Sequence, residues 1–368
     1  MAKTRPKKKL KKSTRTDKII RRRKSLYDDM GVEEDPPISG WLTTGCTLLD
    51  LGIAGRLPGG IPMGRITRMY GGHSTCKSIL STIILGAMQR KGGEAYYVDI
   101  EGTFDSRLAR RLGLNPDDTK TFKYVDTDVY VKNTKKSQCF TVEDFFDKFI
   151  PQVLKSKSKR PKLIVVDTLT SLPSISEMDK DLDKTGFGTV RAKRIGAGLR
   201  KYHQQLTNKN ITLLLVDQTR DSLSMWGPKE NVGGGRGPKF YASAFVYLRL
   251  EGKVTNKDKV SLGIWTKFDI EKNKVSSPHR FGSFRLLFDY GLDDIVSNLR
   301  FLKSKQTKNK TDVRDVKFKF EACGYEGTER SLAKMIEKKN MEKGLQREVM
   351  KVWREMHASE DRKERKWM

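Results

Sequence analysis

The sequence predicts an α/β fold: a mainly parallel β-sheet with helices on both faces, preceded by a basic arm and followed by a small, largely helical C-terminal domain. Three observations carry this. Apolar runs of strand length alternate with segments of helical periodicity through the middle of the chain. One run, Arg65–Tyr70, passes into a Gly-rich turn that closes on Lys77-Ser78 before an apolar helix pattern (Ile79, Leu80, Ile83, Ile84, Met88). Other apolar runs end in polar groups: Asp99 and Glu101, then Asp167, then Asp217-Gln218. Strands that alternate with helices are joined by crossovers, which make them parallel and cover both faces.

The elements follow in order. Residues 1–40 form a basic arm that ends in an acidic, Pro-containing linker (Glu33, Glu34, Asp35, Pro36, Pro37). Residues 41–300 form the core. Its expected strands are Arg65–Tyr70, Glu94–Ile100, Phe122–Val125, Lys162–Asp167 and Ile211–Asp217. Its expected helices follow Lys77 and cover Ser106–Leu112, Val142–Leu154 and Val190–Leu206. From Phe240 to Phe288 the pattern turns strand-dense, as hairpins do. Residues 301–368 end in a helix pair, Ser331–Lys338 and Met341–His357, whose apolar residues (Leu332, Met335, Ile336, Leu345, Val349, Val352, Trp353) share helical spacing.

Composition narrows the function. The formal net charge of +29 on 368 residues points to a polyanionic partner, nucleic acid first among them. From Lys3 to Lys24 the one acid among many cations is Asp17. No apolar segment follows that suits a secretory signal, and no run reaches membrane-spanning length. Cys46, Cys76, Cys139 and Cys323 lack metal-ligand spacing and read as reduced thiols of a cytoplasmic protein.

The turn Gly71-Gly72-His73-Ser74-Thr75-Cys76-Lys77-Ser78, with Ile79 beginning the helix, has the layout of a phosphate-binding loop. Glycines let backbone N–H groups wrap the phosphates, the lysine reaches the β/γ-phosphates, and the hydroxyl holds Mg²⁺. The usual pattern has Gly where Cys76 stands. A thiol there, beside Lys77 at a helix N-terminus, is expected to have a lowered pKa and to react readily. Asp167, ending an apolar strand, suits the Mg²⁺ shell. Glu101 suits the base that orients the attacking water, although Asp99 or Glu101 could equally stabilise the helix that follows. Gln218 can sense a γ-phosphate and relay it to Thr219–Lys239. That long stretch carries Trp226, Gly234, Gly235, Arg236 and Lys239, and a cationic loop with one large aromatic suits single-stranded DNA.

Together these pieces resemble the RecA/UvsX family of homologous-recombination proteins over roughly residues 40–300. LTTGCTLLDLGIAG and GGIPMGRITRMYGG resemble that family's entry to its phosphate loop. VDIEGTFDSRLARRLGL resembles the segment that carries the catalytic glutamate, here Glu101. IVVDTLTSL gives Asp167, and LLLVDQTR gives Gln218 and Arg220. GGGRGPKFYAS resembles the end of the second DNA-binding loop, with Phe240 at a protomer contact. EKNKVSSP resembles a lysine pair that reaches the neighbour's ATP, here Lys272 and Lys274.

The resemblance implies a RecA-like phosphate-loop ATPase core that binds ATP and Mg²⁺ and forms helical filaments on single-stranded DNA. Exchange with double-stranded DNA follows, served by a single-strand-binding protein and a loading mediator. Asp105 is expected at the nucleotide, while the adenine-stacking tyrosine falls on Leu108. The first DNA-binding loop falls near Glu177–Gly188. The helix after it offers Arg191, Lys193, Arg194, Arg200 and Lys201 for DNA phosphates, or as an ordinary solvated face. A side chain at Cys76 and the GGG-x-GP ending resemble phage members, which implies a phage protein acting in its host cell. Two other readings stay open, a ring-forming helicase on the same core and a non-catalytic mediator that binds DNA and a recombinase.

Overall fold

The computed structural model describes residues 38–127, 139–178, 187–221, 230–306, 318–320 and 324–357. The basic arm up to Pro37, Trp226 and residues 179–186 of the first expected DNA loop lie outside the described residues.

A short strand, β1 (Trp41–Leu42), pairs with β2 (Ile61–Pro62) around helix α1 (Thr47–Ala54). Then come β3 (Ile66–Gly71), α2 (Lys77–Arg90), β4 (Glu94–Asp99), α3 (Ser106–Arg111) and β5 (Phe122–Asp126). Helix α4 (Ile150–Leu154), β6 (Lys162–Asp167), α5 (Ile175–Met178), α6 (Phe187–Asn208) and β7 (Ile211–Asp221) follow. The next segments are β8 (Glu230–Val232), α7 (Arg236–Tyr241), β9 (Ala244–Thr255), β10 (Ser261–Asn273), β11 (Phe281–Leu287), β12 (Gly291–Asp293) and α8 (Asp294–Gln306). A small hairpin (Phe318–Phe320, Tyr325–Gly327) precedes α9 (Glu329–Lys339) and α10 (Glu342–His357).

The main sheet has the order β12-β11-β10-β9-β3-β7-β6-β4-β5. The half from β9 to β5 is parallel, and β10 to β12 extend it antiparallel, so the strand-dense region is a set of hairpins on the sheet's edge. Alternation divides the core. Leu163, Val165, Leu214 and Val216 point to the face covered by α2. Ile164, Val166, Leu213 and Leu215 point to the opposite face, with Ile195 and Leu199 of α6. Leu332, Ile336, Leu345, Val349 and Trp353 of the C-terminal helices join the first of these cores.

The helix expected over Val142–Leu154 is present, widened to a π-helix over Asp144–Phe149 before α4, with Ile150 N–H bonding back to Phe145 O. Pro151 suits the widening, because it lacks an amide hydrogen and its ring crowds the carbonyl four residues earlier. One segment differs from the sequence expectation. The Thr219–Lys239 stretch is not one long loop. Strand β7 runs on to Asp221 and pairs with β8, Thr219 opposite Val232, while Arg236–Tyr241 is helical. Pairing gives the stem's backbone groups the partners that an open loop would lack.

Candidate active site

The parallel strands carry their site residues at their carboxyl ends. Gly71 lies opposite Gln218 across β3 and β7, and Asp99 opposite Asp167 across β4 and β6. Ligands of open α/β sheets bind at this edge. Gly71 has to be glycine, since a Cβ there would lie 2.1 Å from Leu248 O.

The phosphate loop closes on its own lysine. Lys77 Nζ donates to Gly71 O (3.0 Å), Gly72 O (2.6 Å) and Thr75 Oγ1 (3.3 Å). Burial lowers the Lys77 pKa, while Asp167 and Glu101 pull it back up. His73 and Ser74 are exposed on the loop crest. Ser78 Oγ donates to Asp167 Oδ2 at 2.8 Å, so hydroxyl and carboxylate meet as hard oxygen donors. Tyr97 OH donates to the same Oδ2 at 3.2 Å. Burial raises the Asp167 pKa, and the nearby Glu101 raises it further. A cation between Ser78 and Asp167 would relieve both effects. A hydroxyl and one carboxylate suit Mg²⁺, which commonly uses one or two carboxylates plus substrate phosphates.

Next to this pair, Thr168 Oγ1 (2.5 Å) and Gln218 Nε2 (2.7 Å) both donate to Glu101 Oε1. Asp99, rather than Glu101, stabilises the turn that follows, accepting from Gly102 N and Phe104 N. The arrangement joins a buried lysine at the start of α2, a pair of oxygens suited to a cation, and a carboxylate held by an amide from another strand. It can bind a nucleoside triphosphate and activate a water.

Cys76 departs from expectation. It takes φ +70°, the left-handed conformation that explains why glycine usually stands there. Its side chain turns into the core beside Thr266 Oγ1 (3.6 Å), and burial pushes the thiol up to about 11, outweighing Thr266 and Lys77. The expected activated thiol is therefore a buried, protonated one. Asp105 is the N-cap of α3, accepting from Arg107 N (2.8 Å) and Leu108 N (3.1 Å). Ile79 follows Ser78 in the first turn of α2.

A second cluster brings together Lys272, Lys274 and Phe240. Phe240 is 66% exposed. Lys272 Nζ donates to Phe240 O at 2.7 Å and also to Lys239 O, and Lys274 Nζ donates to Phe240 O at 3.3 Å. Burial lowers the Lys272 pKa to about 8, helped by Lys274 and Lys239. Lys239 also pairs with Glu271 (3.3 Å). Beside this cluster, a cleft of about 1360 Å³ is lined by Gly234, Gly235, Arg236 and Lys239 over a Tyr70, Phe245 and Tyr247 floor. Arg220 lies in the β7–β8 stem opposite Asn231.

The basic helix α6 has largely protein partners. Arg191 meets Glu177, Arg194 meets Glu143, Lys201 meets Asp147, and Arg200 Nε donates to Tyr241 OH (3.3 Å). Sequence reasoning missed Thr168, Tyr97 and Arg68. Arg68 had a signal: a charge inside the apolar strand ITRMYG requires a buried partner.

Residues 28–293 match the family model described as RecA N-terminal domain. That span covers well over half of the chain. This chain belongs to the RecA family. Among curated RecA-family members, Protein RecA of Thermus thermophilus is 30% identical over 256 residues, covering 69% of each chain. Protein RecA of Colwellia psychrerythraea is 28% identical over 255 residues, covering 69% of this chain and 67% of that one. Protein RecA of Methylococcus capsulatus is 29% identical over 252 residues, covering 68% and 66%. No helix among the described residues of this RecA-family chain is long and apolar enough to cross a membrane.

Proposed function

We propose that this RecA-family chain is an ATP-dependent recombinase that forms helical filaments on single-stranded DNA and exchanges it with homologous double-stranded DNA. The observation that carries the reading is the meeting of Ser78–Asp167 with Thr168–Glu101–Gln218 beside Lys77, at the foot of the β7–β8 stem.

ATP draws Lys77 off the carbonyls of Gly71 and Gly72, replacing neutral acceptors with phosphate oxygens in stronger, charge-assisted bonds. Backbone N–H groups from Gly72 to Ile79 cradle the phosphates at the start of α2. Ser78 and Asp167 would hold Mg²⁺, which would supply neutralisation of developing phosphate charge. Glu101 orients the water, with Thr168 fixing Oε1 and leaving Oε2 to accept the water's proton. Gln218 exchanges its bond to Glu101 for one to the γ-phosphate and so reports nucleotide state to the stem. Lys272 and Lys274 reach the ATP of a neighbouring protomer, as an arginine finger does in trans. Asp105 flanks the nucleotide through the free side of its carboxylate.

Arg220, Gly234, Gly235, Arg236 and Lys239, with Trp226 and Arg200, contact DNA phosphates and bases. The protein acts in the cytoplasm with a single-strand-binding protein and a loading mediator. Cys76 and the GGG-x-GP ending support a phage-type member in a host cell. Electron microscopy with single-stranded DNA and ATPγS tests the reading: helical filaments are expected, whereas closed rings would favour a helicase and dispersed particles a mediator.

A further inference from the structure

Arg68 lies mid-strand in β3 and is 1% exposed. Its Nε donates to Asp217 Oδ2 at 2.6 Å, and Asp217 is fully buried. Its Nη2 donates to Gly233 O at 2.6 Å, where β8 gives way to the Gly-rich segment. One rigid guanidinium plane therefore holds two partners with two different nitrogens, which a lysine cannot do. Asp217 immediately precedes Gln218, the residue bonded to Glu101. Its other oxygen accepts from Thr170 N at 3.1 Å, just beyond the Asp167–Thr168 strand end. Thr170 O in turn accepts from Arg191 Nη1 of α6 at 2.9 Å, and Arg191 pairs with Glu177 at 3.6 Å.

The network is contiguous and buried at its centre. From mid-strand, Arg68 joins Asp217, beside Gln218 at the nucleotide edge of the sheet, to Gly233, at the root of a segment read as DNA-binding. Helix α7, which follows Gly233–Gly235, sits against α6 closely enough that a Cβ on Gly237 would lie 2.8 Å from Gly196 Cα. A small displacement of the β7 strand end therefore has few ways to dissipate before it reaches Gly233. A buried ion pair is poor evidence for stability by itself, and its attested use is to specify one arrangement over another.

We propose that the Arg68–Asp217 pair is a positioning device that ties the placement of Gly233 to the β7 strand end carrying Gln218, and so couples nucleotide binding to DNA binding. The proposal rests on the recombinase reading above. Both side chains are buried, so the pair acts through Gly233 and the strand that carries Gln218. Linkage requires the coupling to be reciprocal: DNA tightens nucleotide binding by the factor by which nucleotide tightens DNA binding.

The test measures the ATPγS dissociation constant of the full chain with and without oligo(dT). Parental protein should show tightening within about 5–150-fold, the usual range of such couplings. Arg68→Lys retains the charge beside Asp217 but replaces the rigid two-nitrogen fork that sets Gly233 O relative to Asp217 by a single, rotatable ammonium. Arg68→Met/Asp217→Leu removes both charges together and so leaves neither ion unpaired. Both variants should bind ATPγS without DNA within about twofold of the parent, while their DNA-dependent factor falls to below about threefold. A merely structural role would lower melting temperature and leave the factor intact, and a folded variant with the parental factor overturns the proposal. Hydrogen exchange in the unmutated chain provides a second, independent check. Added ATPγS alone should change protection across residues 230–237, and unchanged exchange there overturns the proposal even if neither variant folds. A parent with no DNA-dependent tightening would instead remove the recombinase reading on which the proposal stands.

Discussion

Gln218 Nε2 donates to Glu101 Oε1 across 2.7 Å, joining the end of β7 to the turn after β4 although β6 lies between those strands in the sheet. One amide thus holds the residue proposed as the base. On the proposed reading, a γ-phosphate competing for that amide would change both the orientation of Glu101 and the position of the β7–β8 stem.

Glu101→Gln preserves size and leaves an acceptor for Thr168 and Gln218, but it cannot take a proton. DNA-stimulated ATP hydrolysis should fall by about 10²–10⁴-fold, the usual worth of general-base catalysis. ATPγS and DNA binding should persist. A steady-state ATPase assay beside a binding titration checks this, and hydrolysis at the parental rate would remove Glu101 from the role.

Cys76 should resist maleimide in the native protein, because its thiol is buried and raised to about 11. Mass spectrometry of briefly labelled protein should find Cys139, which is part-exposed, modified ahead of Cys76. Cys76→Gly should retain ATP hydrolysis. It relieves a left-handed conformation that costs a side-chain-bearing residue about 1–2 kcal/mol, and it gives up buried packing of similar size. Rapid labelling of Cys76 that ATP blocks would contradict the buried placement.

Much of this was legible in the sequence. The strands Glu94–Asp99 and Lys162–Asp167 stand out because apolar alternation or an apolar run ends at a carboxylate. Their order alone sets Asp99, Asp167 and Gln218 at one edge. The thiol's environment was not legible: position at a helix N-terminus suggests activation, whereas the side chain's direction, visible only in three dimensions, buries it. The Asp105 cap competes with a ligand role at the same residue, and spacing cannot separate them. Thr168 and Arg68 act through partners on strands distant in sequence, and only the sheet order reveals those.

Lys272 should give DNA-dependent hydrolysis an alkaline limb. A lysine normally stays charged to about pH 10.4, but burial, with Lys274 and Lys239 nearby, lowers this one to about 8. Below that value it is cationic, and above it the trans charge is lost. The rate at low ATP, which starts from the free chain, should therefore decline as pH rises through about 8, while saturating ATP should move the limb upward because phosphate charge favours the ammonium. A flat low-ATP profile to about pH 9.5 would contradict the assignment. Lys272→Ala/Lys274→Ala protein should bind ATP but hydrolyse it poorly on DNA. Mixing it with Glu101→Gln protein should restore some activity, since at a mixed interface one protomer supplies Glu101 and its neighbour the lysines. No recovery at any ratio, despite co-assembly, would count against a shared site.

Deleting residues 1–24 should flatten the salt dependence of single-stranded DNA binding. Each phosphate that the arm no longer neutralises changes the log–log slope by about 0.7. An unchanged slope would assign the arm to protein binding or targeting.

Strand exchange itself tests the central claim most directly. A fluorescently labelled duplex is mixed with protein preassembled on homologous single-stranded DNA, and strand transfer is followed with and without ATP and Mg²⁺. The account predicts transfer that requires homology, nucleotide and Lys77, and that disappears in Lys77→Ala. ATP hydrolysis without homologous transfer, or unwinding that ignores homology, would contradict it.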